Sequence, residues 1–171
     1  HLSAMAGNTS LALIGVDISK WAVLAAAKQD KQTRWVVGSN ANLPVLPESL
    51  DLVLCLFGFP VYSEFARVLK PGGRFIQVDA GADHLRELRE VIYPEVKPPG
   101  DSESAAPEGF RQLDSTVVRF PLTLPDQASI ADLLAMTPHL YRASAEGLER
   151  AAALESLEVT VDATLKRFEK L

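Results

Sequence analysis

An aspartate that closes an apolar run is the first candidate for chemistry in this chain. Asp17, followed by Ile18, ends the stretch LALIGVD. A carboxylate at the carboxyl end of a buried strand can accept hydrogen bonds from both hydroxyls of a ribose. The plainer interpretation is that Asp17 or Ser19 caps the helix predicted to begin at Lys20. Spacing alone leaves nucleoside binding and helix capping equally open.

A polar segment, SNANLP, follows the second predicted strand at residues 39–44. Asn42 could present its side-chain amide to the edge of a purine, with Leu43 packed on the face of the ring. An ordinary polar turn explains the same residues, and from the sequence we favour the turn. The segment is a second candidate at a strand end.

Aromatic residues follow the third predicted strand in CLFGFP, residues 55–60. Gly58 would let the backbone turn sharply, so that Phe57 or Phe59 could stack on an aromatic ligand. Aromatic side chains at a strand end belong to the core more often than to a ligand site. Cys55 lies inside an apolar run and is expected to be a small buried side chain.

Two histidines complete the candidates. His84 ends DAGADH at the start of a predicted helix, where N–H groups favour a polar ligand, although Asp83 can cap this helix and His84 can be solvated. His139 lies beside Tyr141 and Arg142 in MTPHLYRAS, which could face a substrate, but we first expect helix packing. No Ser/His/Asp triad, phosphate loop or carboxylate pair at catalytic spacing is evident, so no catalytic residue is assigned.

The elements that position these residues alternate between strand-like and helix-like segments, which predicts an α/β, doubly wound fold with a mostly parallel sheet. A helix tail is expected in residues 1–10 and a loop in residues 97–109. The last strand alternates apolar and polar residues, as an antiparallel or edge strand does. The predicted strands are Leu11–Val16, Thr33–Gly38, Leu50–Phe57, Arg74–Val78, Gln112–Phe120 and Leu157–Phe168, and the predicted helices are Lys20–Gln29, Val61–Leu69, His84–Ile92, Ala128–Met136 and Ala145–Ala153.

Composition narrows the function classes. The 171 residues, 47% of them hydrophobic, suit one domain with a substantial core. A formal net charge of −5 argues against this chain alone gripping a polyanion. A single cysteine can build neither a zinc site nor an internal disulfide, so we expect no metal and a cytoplasmic setting. The apolar runs are too short to span a bilayer, so no membrane partner is expected.

Several segments together resemble one enzyme family. They are GVDISKWAVLAAAK, SNANLP, ARVLKPGGRFI, HLRELREVIYPEV and LLAMTPHLYRAS. They resemble class I S-adenosylmethionine-dependent methyltransferases, and more specifically the RlmA-type guanine methyltransferases of large-subunit (23S) ribosomal RNA. This resemblance implies a Rossmann-like, seven-stranded sheet with an antiparallel last strand and S-adenosylmethionine bound over the carboxyl ends of the strands.

The resemblance also implies cofactor-binding roles for residues already singled out. Asp17 would hold the ribose, with Ile18 against the adenine. Asn42 and Leu43 would contact the adenine edge. The methyl-donor side would be lined by residues around Cys55 and Phe57, and His84 matches a position that the family uses for the cofactor. The methyl acceptor would be a guanine ring nitrogen of ribosomal RNA.

Two parts of the family pattern are not found in these residues: the amino-terminal zinc-binding cysteine module, which recognises RNA, and the glycine-rich motif with its first strand. We therefore interpret residues 1–171 as a single methyltransferase domain, truncated at its amino terminus, that contacts ribosomal RNA through the missing module and is inactive alone. The resemblance allows a homodimer. Two alternatives stay open, a small-molecule methyltransferase and a degenerate, non-catalytic cofactor-binding or scaffold domain.

Overall fold

The computed structural model describes residues 11–96 and 105–171, so the expected helix tail and most of the expected loop lie outside the described residues. The chain begins with two parallel strands, β1 (Ile14–Asp17) and β2 (Arg34–Val37), paired from Ile14 opposite Arg34 to Asp17 opposite Val37. The crossover between them is helix α1 (Lys20–Gln29). This is a βαβ unit, as the alternating pattern predicts.

A second sheet contains the other four strands. These are β3 (Leu50–Leu56), β4 (Leu69–Ala80), β5 (Phe110–Leu124) and β6 (Leu157–Lys170), in the order β3-β4-β6-β5. β3 and β4 are parallel, and β6 runs antiparallel to both of its neighbours. The prediction of an antiparallel last strand is confirmed, and this strand lies inside the sheet rather than at its edge.

Helices flank the four-stranded sheet. They are α2 (Tyr62–Val68), α3 (Arg86–Ile92), α4 (Gln127–Ala135), a 3₁₀ turn at Pro138–Tyr141 and α5 (Ala145–Ala152). One core surrounds Phe75 of β4, whose ring packs on Phe65 of α2 and on Phe168 of β6. A second core joins α3, α4 and α5 to Val159 of β6. Because side chains alternate along a strand, Phe168 and Val159 lie on opposite faces of β6, and each face packs on one of the two cores.

Helix α3 begins two residues later than predicted, at Arg86 rather than His84. Leu85 has a positive φ of 51°, and its N–H donates to the carbonyl of Thr160 at 2.8 Å. Leu85 thus connects β6 to the helix, because its carbonyl also accepts from the N–H of Arg89 at 3.0 Å. Asp83 does not cap α3, because its carboxylate pairs with Arg86 and Arg119.

Strand β4 is longer than predicted, because it begins at Leu69 rather than at Arg74 and includes the LKPGG segment. Leu69 pairs with Leu50, and the register then shifts before Leu52 pairs with Arg74. Gly72, with φ of 73°, supplies the conformation that this shift requires. The LKPGG segment is therefore an irregularity in the pairing of β3 with β4.

The predicted continuous sheet is divided in the described residues, since β1–β2 and the four-stranded sheet are separate. Leu52, Leu54 and Leu56 share one face of β3 and are 37–58% exposed, so the described residues do not cover this face. The fold class is nevertheless α/β with mostly parallel strands and helical crossovers. Among the described residues, no helix has the length and apolarity needed to cross a membrane.

Candidate functional site

A stacked pair of rings stands beyond β3 and β4. Phe57 follows β3, and its ring lies 5.0 Å from the His84 imidazole at an interplanar angle of 25°. The Phe57 N–H donates to the Val78 carbonyl of β4 at 2.8 Å, which fixes the backbone while φ takes the strained value of 52°. Positive φ in a bulky residue costs free energy and is found most often at functional sites.

The imidazole of His84 is held by the antiparallel strand β6. The N–H of Asp162 donates to His84 Nδ1 at 3.3 Å. Burial lowers the pKa of His84, so the neutral ring is favoured near pH 7. With Nδ1 accepting, the proton of the neutral ring sits on Nε2, which is then a donor. The expectation that His84 is merely solvated is wrong, because it is half-buried and stacked.

The side chain of Asp162 organises the loop that carries His84. It is 6% exposed, and its Oδ2 accepts from the N–H of Asp83 at 3.0 Å. The Asp162 carbonyl accepts from Gly81 at 2.8 Å. A Cβ at Gly81 would overlap the Asp162 carboxylate, so the close approach of loop and strand requires glycine here.

Asp17 is the last residue of β1 and is exposed. Its Oδ1 accepts from the N–H of Ser19 at 2.7 Å, while Ser19 is the residue that caps α1. Oδ2 of Asp17 makes no hydrogen bond with the residues the structure describes. The neighbouring Ile18 is 80% exposed. Both residues are therefore accessible at the carboxyl end of β1.

Asn40 connects the ends of two strands. Its Nδ2 donates to the carbonyl of Phe59 at 3.0 Å, joining the segment after β2 to the segment after β3. Since β1 is parallel to β2, and β3 to β4, this bond places the carboxyl ends of all four strands on one side. That side is where an open α/β sheet binds ligands.

Asn42 and Leu43 lie in the same segment but in different surroundings. Asn42 is exposed, and its N–H closes a turn onto the Ser39 carbonyl at 3.1 Å. Leu43 is 9% exposed within the core, and its N–H donates to Oε1 of Glu64 at 2.7 Å. The turn that the sequence favours is present, and within this pair the side chain open to a ligand is that of Asn42.

Cys55 is buried on β3, and burial raises the pKa of its thiol. It pairs across the sheet with Gln77, whose Nε2 donates to both oxygens of Asp79 at 2.9 Å and whose Oε1 accepts from Tyr62 at 3.1 Å. The expectation of a small buried side chain is confirmed. The thiol lies beside a satisfied polar network rather than in an active, ionised state.

The structure thus brings Phe57 to His84. Asp17 ends β1 of the separate β1–β2 sheet and Ile18 follows it, and no hydrogen bond within the described residues joins either of them to that pair. Sequence reasoning missed Asn40 and Asp162. Asp162 is one of the polar residues of the alternating last strand, and no local signal in the sequence shows that it is buried. Asn40 lies in the polar segment SNANLP. Its amide, directly after a predicted strand, is a signal for a side chain that bridges two strand ends.

Comparison with known proteins gives the family. Residues 1–77 match the methyltransferase domain model. The Bacillus subtilis (strain 168) protein "Putative 23S rRNA (guanine-N(1)-)-methyltransferase YxjB" is 33% identical, with 95% of this chain covering 60% of that protein. The "Uncharacterized methyltransferase YcgJ" of the same organism is also 33% identical, with 52% of this chain covering 47% of its length. The chain therefore spans about half to three fifths of these relatives.

A solved structure shows the same fold. The crystal structure of an S-adenosylmethionine-dependent methyltransferase from Methanosarcina mazei is 14% identical, with a TM-score of 0.50, and the match covers 94% of this chain and 82% of that one. Three findings agree on a methyltransferase. The strand ends lie on one side, residues 1–77 match the domain model, and a methyltransferase relative matches 95% of the chain. Residues 1–77 match the methyltransferase domain family, and the chain has the fold of the class I S-adenosylmethionine-dependent methyltransferases.

Proposed function

We propose that this protein transfers a methyl group from S-adenosylmethionine to a ring nitrogen of a guanine in large-subunit ribosomal RNA. The observation that carries the proposal is the similarity to YxjB, which extends over 95% of this chain and so beyond the matched residues 1–77. YxjB bears the name of a guanine-N(1) methyltransferase of 23S ribosomal RNA. A ribosomal substrate would place the protein in the cytoplasm.

The accessible groups at the strand ends fit a nucleoside methyl donor. Asp17 keeps Oδ2 available for ribose hydroxyls, and Ile18, at 80% exposure, can cover one face of adenine. Asn42 offers an amide to the adenine edge, with Leu43 supporting it from the core. In this proposal each of these residues contributes to cofactor affinity.

The methyl-donor side is formed by the ends of β3 and β4. Cys55 lies beneath this region, and Phe57 presents a ring that is 57% exposed. His84 keeps that ring in place by stacking. Because the free nitrogen of neutral His84 is a donor, we assign His84 to positioning and hydrogen bonding rather than to removal of the guanine proton.

S-adenosylmethionine held at these strand ends would supply an electrophilic methyl group to the guanine nitrogen, with S-adenosylhomocysteine as the leaving product and the proton of that nitrogen passing to solvent. The protein residues hold donor and acceptor in line and exclude water. Such positioning can lower a barrier by about 7–11 kcal/mol in favourable cases, without covalent participation of a side chain.

Upstream elements complete this proposal. We infer that a strand with a glycine-rich turn and an RNA-recognising zinc module belong to the same protein. Two observations support the further strand: the chain covers 60% of YxjB, and among the described residues β1 and β3 each pair along one edge only. The zinc module stays a prediction. Formation of a homodimer stays a prediction.

Cofactor binding is tested by calorimetry of the intact protein with S-adenosylhomocysteine. We expect Asp17→Asn to weaken binding at least tenfold, because the amide cannot accept from both hydroxyls with the same strength. Asp51→Asn is the matched control, since Asp51 is an exposed carboxylate near the amino end of β3 that pairs with Lys70. Equal affinity in the wild type and Asp17→Asn would remove Asp17 from the site.

The acceptor is tested with methyl-labelled donor. Intact protein is incubated with unmodified 23S ribosomal RNA or with a metabolite pool, and the label is followed into nucleosides or small molecules. Label in a methylated guanine supports the proposal. Label only in a metabolite would identify a small-molecule methyltransferase, and cofactor binding without transfer to either would favour a non-catalytic domain.

A further inference from the structure

The 3₁₀ turn after α4 is docked against the end of α3. Its His139 lies with Nδ1 2.9 Å from the hydroxyl of Tyr93, and the two rings meet edge to face with centroids 5.6 Å apart. Tyr93 is the residue that immediately follows α3. The expected helix packing of His139 is confirmed, and it fixes the orientation of the residues that follow.

Tyr141 and Arg142, which follow His139, and Met136, which precedes it, point away from the core. Tyr141 is 86% exposed, and Met136, at the end of α4, is 85% exposed. Arg142 is also exposed and forms no ion pair with any residue in the two described ranges. A single exposed aromatic residue is ordinary. An exposed ring next to an arginine without a carboxylate partner is a more specific combination.

Two arginines, Arg89 and Arg142, lie near His139. Burial lowers the pKa of His139, and the charges of Arg89 and Arg142 lower it further. Arg89 Nη1 also donates to the carbonyl of Ala82 at 3.0 Å, within the loop that carries His84. Arg89 is therefore bonded to the loop of the candidate site, in a chain whose net charge is −5.

We propose that this surface, formed by Met136, His139, Tyr141 and Arg142 and here named the Tyr141 surface, binds the single-stranded RNA that flanks the target guanine. Tyr141 stacks on an unpaired base, and Arg142 contacts a phosphate. His139 and Tyr93 hold the turn in place. The assignment rests on the proposed function and names the part of this chain that contacts its substrate.

Charge and size favour a single strand over a duplex. One exposed arginine and one ring match a phosphate and an unstacked base, whereas a duplex requires many phosphate contacts along an extended basic stripe. The same ring and cation side by side suit a splayed loop nucleotide.

The test is fluorescence anisotropy of the intact protein with a fluorescein-labelled RNA hairpin that has an unpaired guanine in its loop. We expect Tyr141→Ala and Arg142→Gln each to raise the Kd about tenfold, as loss of one stacked base or one phosphate contact does. Arg142→Gln should also reduce the salt dependence of binding by about one counterion, whereas Tyr141→Ala should not. Phe120→Ala and Arg34→Gln, changes of exposed residues on β5 and β2, serve as matched controls.

A second readout separates contact from folding. Calorimetry with S-adenosylhomocysteine should give the same affinity for both variants as for the wild type, and the KM for RNA should rise while kcat at saturating RNA is kept. Unchanged RNA affinity in both variants, equal binding of a fully paired duplex, or a parallel loss of cofactor affinity would each overturn the assignment.

Failure of the inference is distinguishable from failure of the proposed function. If RNA is methylated but the variants bind it normally, the Tyr141 surface is wrong and the function stands. If the wild type binds the hairpin through Tyr141 and Arg142 but methylates no RNA, the surface stands and the function is wrong. If the wild type does not bind RNA, both are wrong.

Discussion

The imidazole of His84 stacks on the phenyl ring of Phe57 at 5.0 Å, although the two residues come from different crossovers of the sheet. The contact depends on two backbone bonds, one from Phe57 to β4 and one from β6 to His84 Nδ1. A ring pair anchored in this way has a fixed orientation. It is the best-defined part of the candidate site.

Backbone strain at Phe57 predicts an unusual ranking of two variants. Phe57→Gly should be more stable to urea than Phe57→Ala by about 1 kcal/mol, because glycine adopts the positive φ of 52° without the cost that a Cβ imposes. Both variants lose the ring that stacks on His84, so both should bind S-adenosylhomocysteine more weakly than the wild type. Phe59, which is 91% exposed and has no positive φ, provides the control pair. There alanine should be the more stable residue, and the same ranking at both positions would contradict the argument.

At Gly147 in α5 we expect a glycine-to-alanine substitution to destabilise the protein, although the same substitution stabilises most helices. Replacing glycine by alanine inside a helix normally stabilises it by about 1 kcal/mol. Gly147, however, is buried against α3, and a Cβ there would overlap the carbonyl oxygen of Ile92. We expect Gly147→Ala to lower the free energy of unfolding by about 1–3 kcal/mol, as overpacking does. Urea denaturation measures this, with Ala145→Gly in the exposed first turn as a control that should cost only helix propensity. A stabilised Gly147→Ala would mean that α5 and α3 do not pack so closely.

Glu64 predicts an effect of acid on the segment before β3. The Arg67 guanidinium and the N–H of Leu43 hold the pKa of Glu64 at about 2, below its ordinary value of 4.5. A carboxylate with a lowered pKa stabilises the folded state above its unfolded pKa, and the contribution is lost as pH falls towards the folded pKa. The difference in unfolding free energy between the wild type and Glu64→Gln should therefore be constant from pH 7 to pH 5 and shrink below pH 4.5. Glu149→Gln, a change of an exposed carboxylate on α5, is the control for the removal of one negative charge.

The two histidines predict a loss of stability at mildly acidic pH. Burial lowers the pKa values of His84 and His139 from 6.5. Between each lowered pKa and 6.5 the unfolded chain binds more protons than the folded one, so the folded state loses stability as pH falls below 6.5. Urea midpoints from pH 7.5 to pH 5 should decline in the wild type and decline less in the double variant His84→Gln/His139→Gln. An equal dependence of the urea midpoint on pH in both proteins would show that the imidazoles bind the same number of protons in the folded and unfolded states.

Local sequence determined much of the framework. The apolar run before Asp17 and the hydroxyl of Ser19 were sufficient to predict β1, its terminal carboxylate and the start of α1 at Lys20. Alternation along residues 157–168 predicted a strand that is not parallel to its neighbours. These features depend on side-chain periodicity and helix capping, which act over a few residues and can be seen in the chain itself.

Tertiary structure decided how the site is assembled. The insertion of β6 between β4 and β5 buries Asp162 and brings its N–H to His84, 78 positions away in the chain. Next to it, the bond from the Leu85 N–H to the Thr160 carbonyl of β6 accompanies the start of α3 at Arg86 rather than at His84, and the His84 ring is stacked on Phe57. No local pattern encodes this arrangement, because strand order is fixed by which apolar faces can be buried together, and that is a property of the whole sheet.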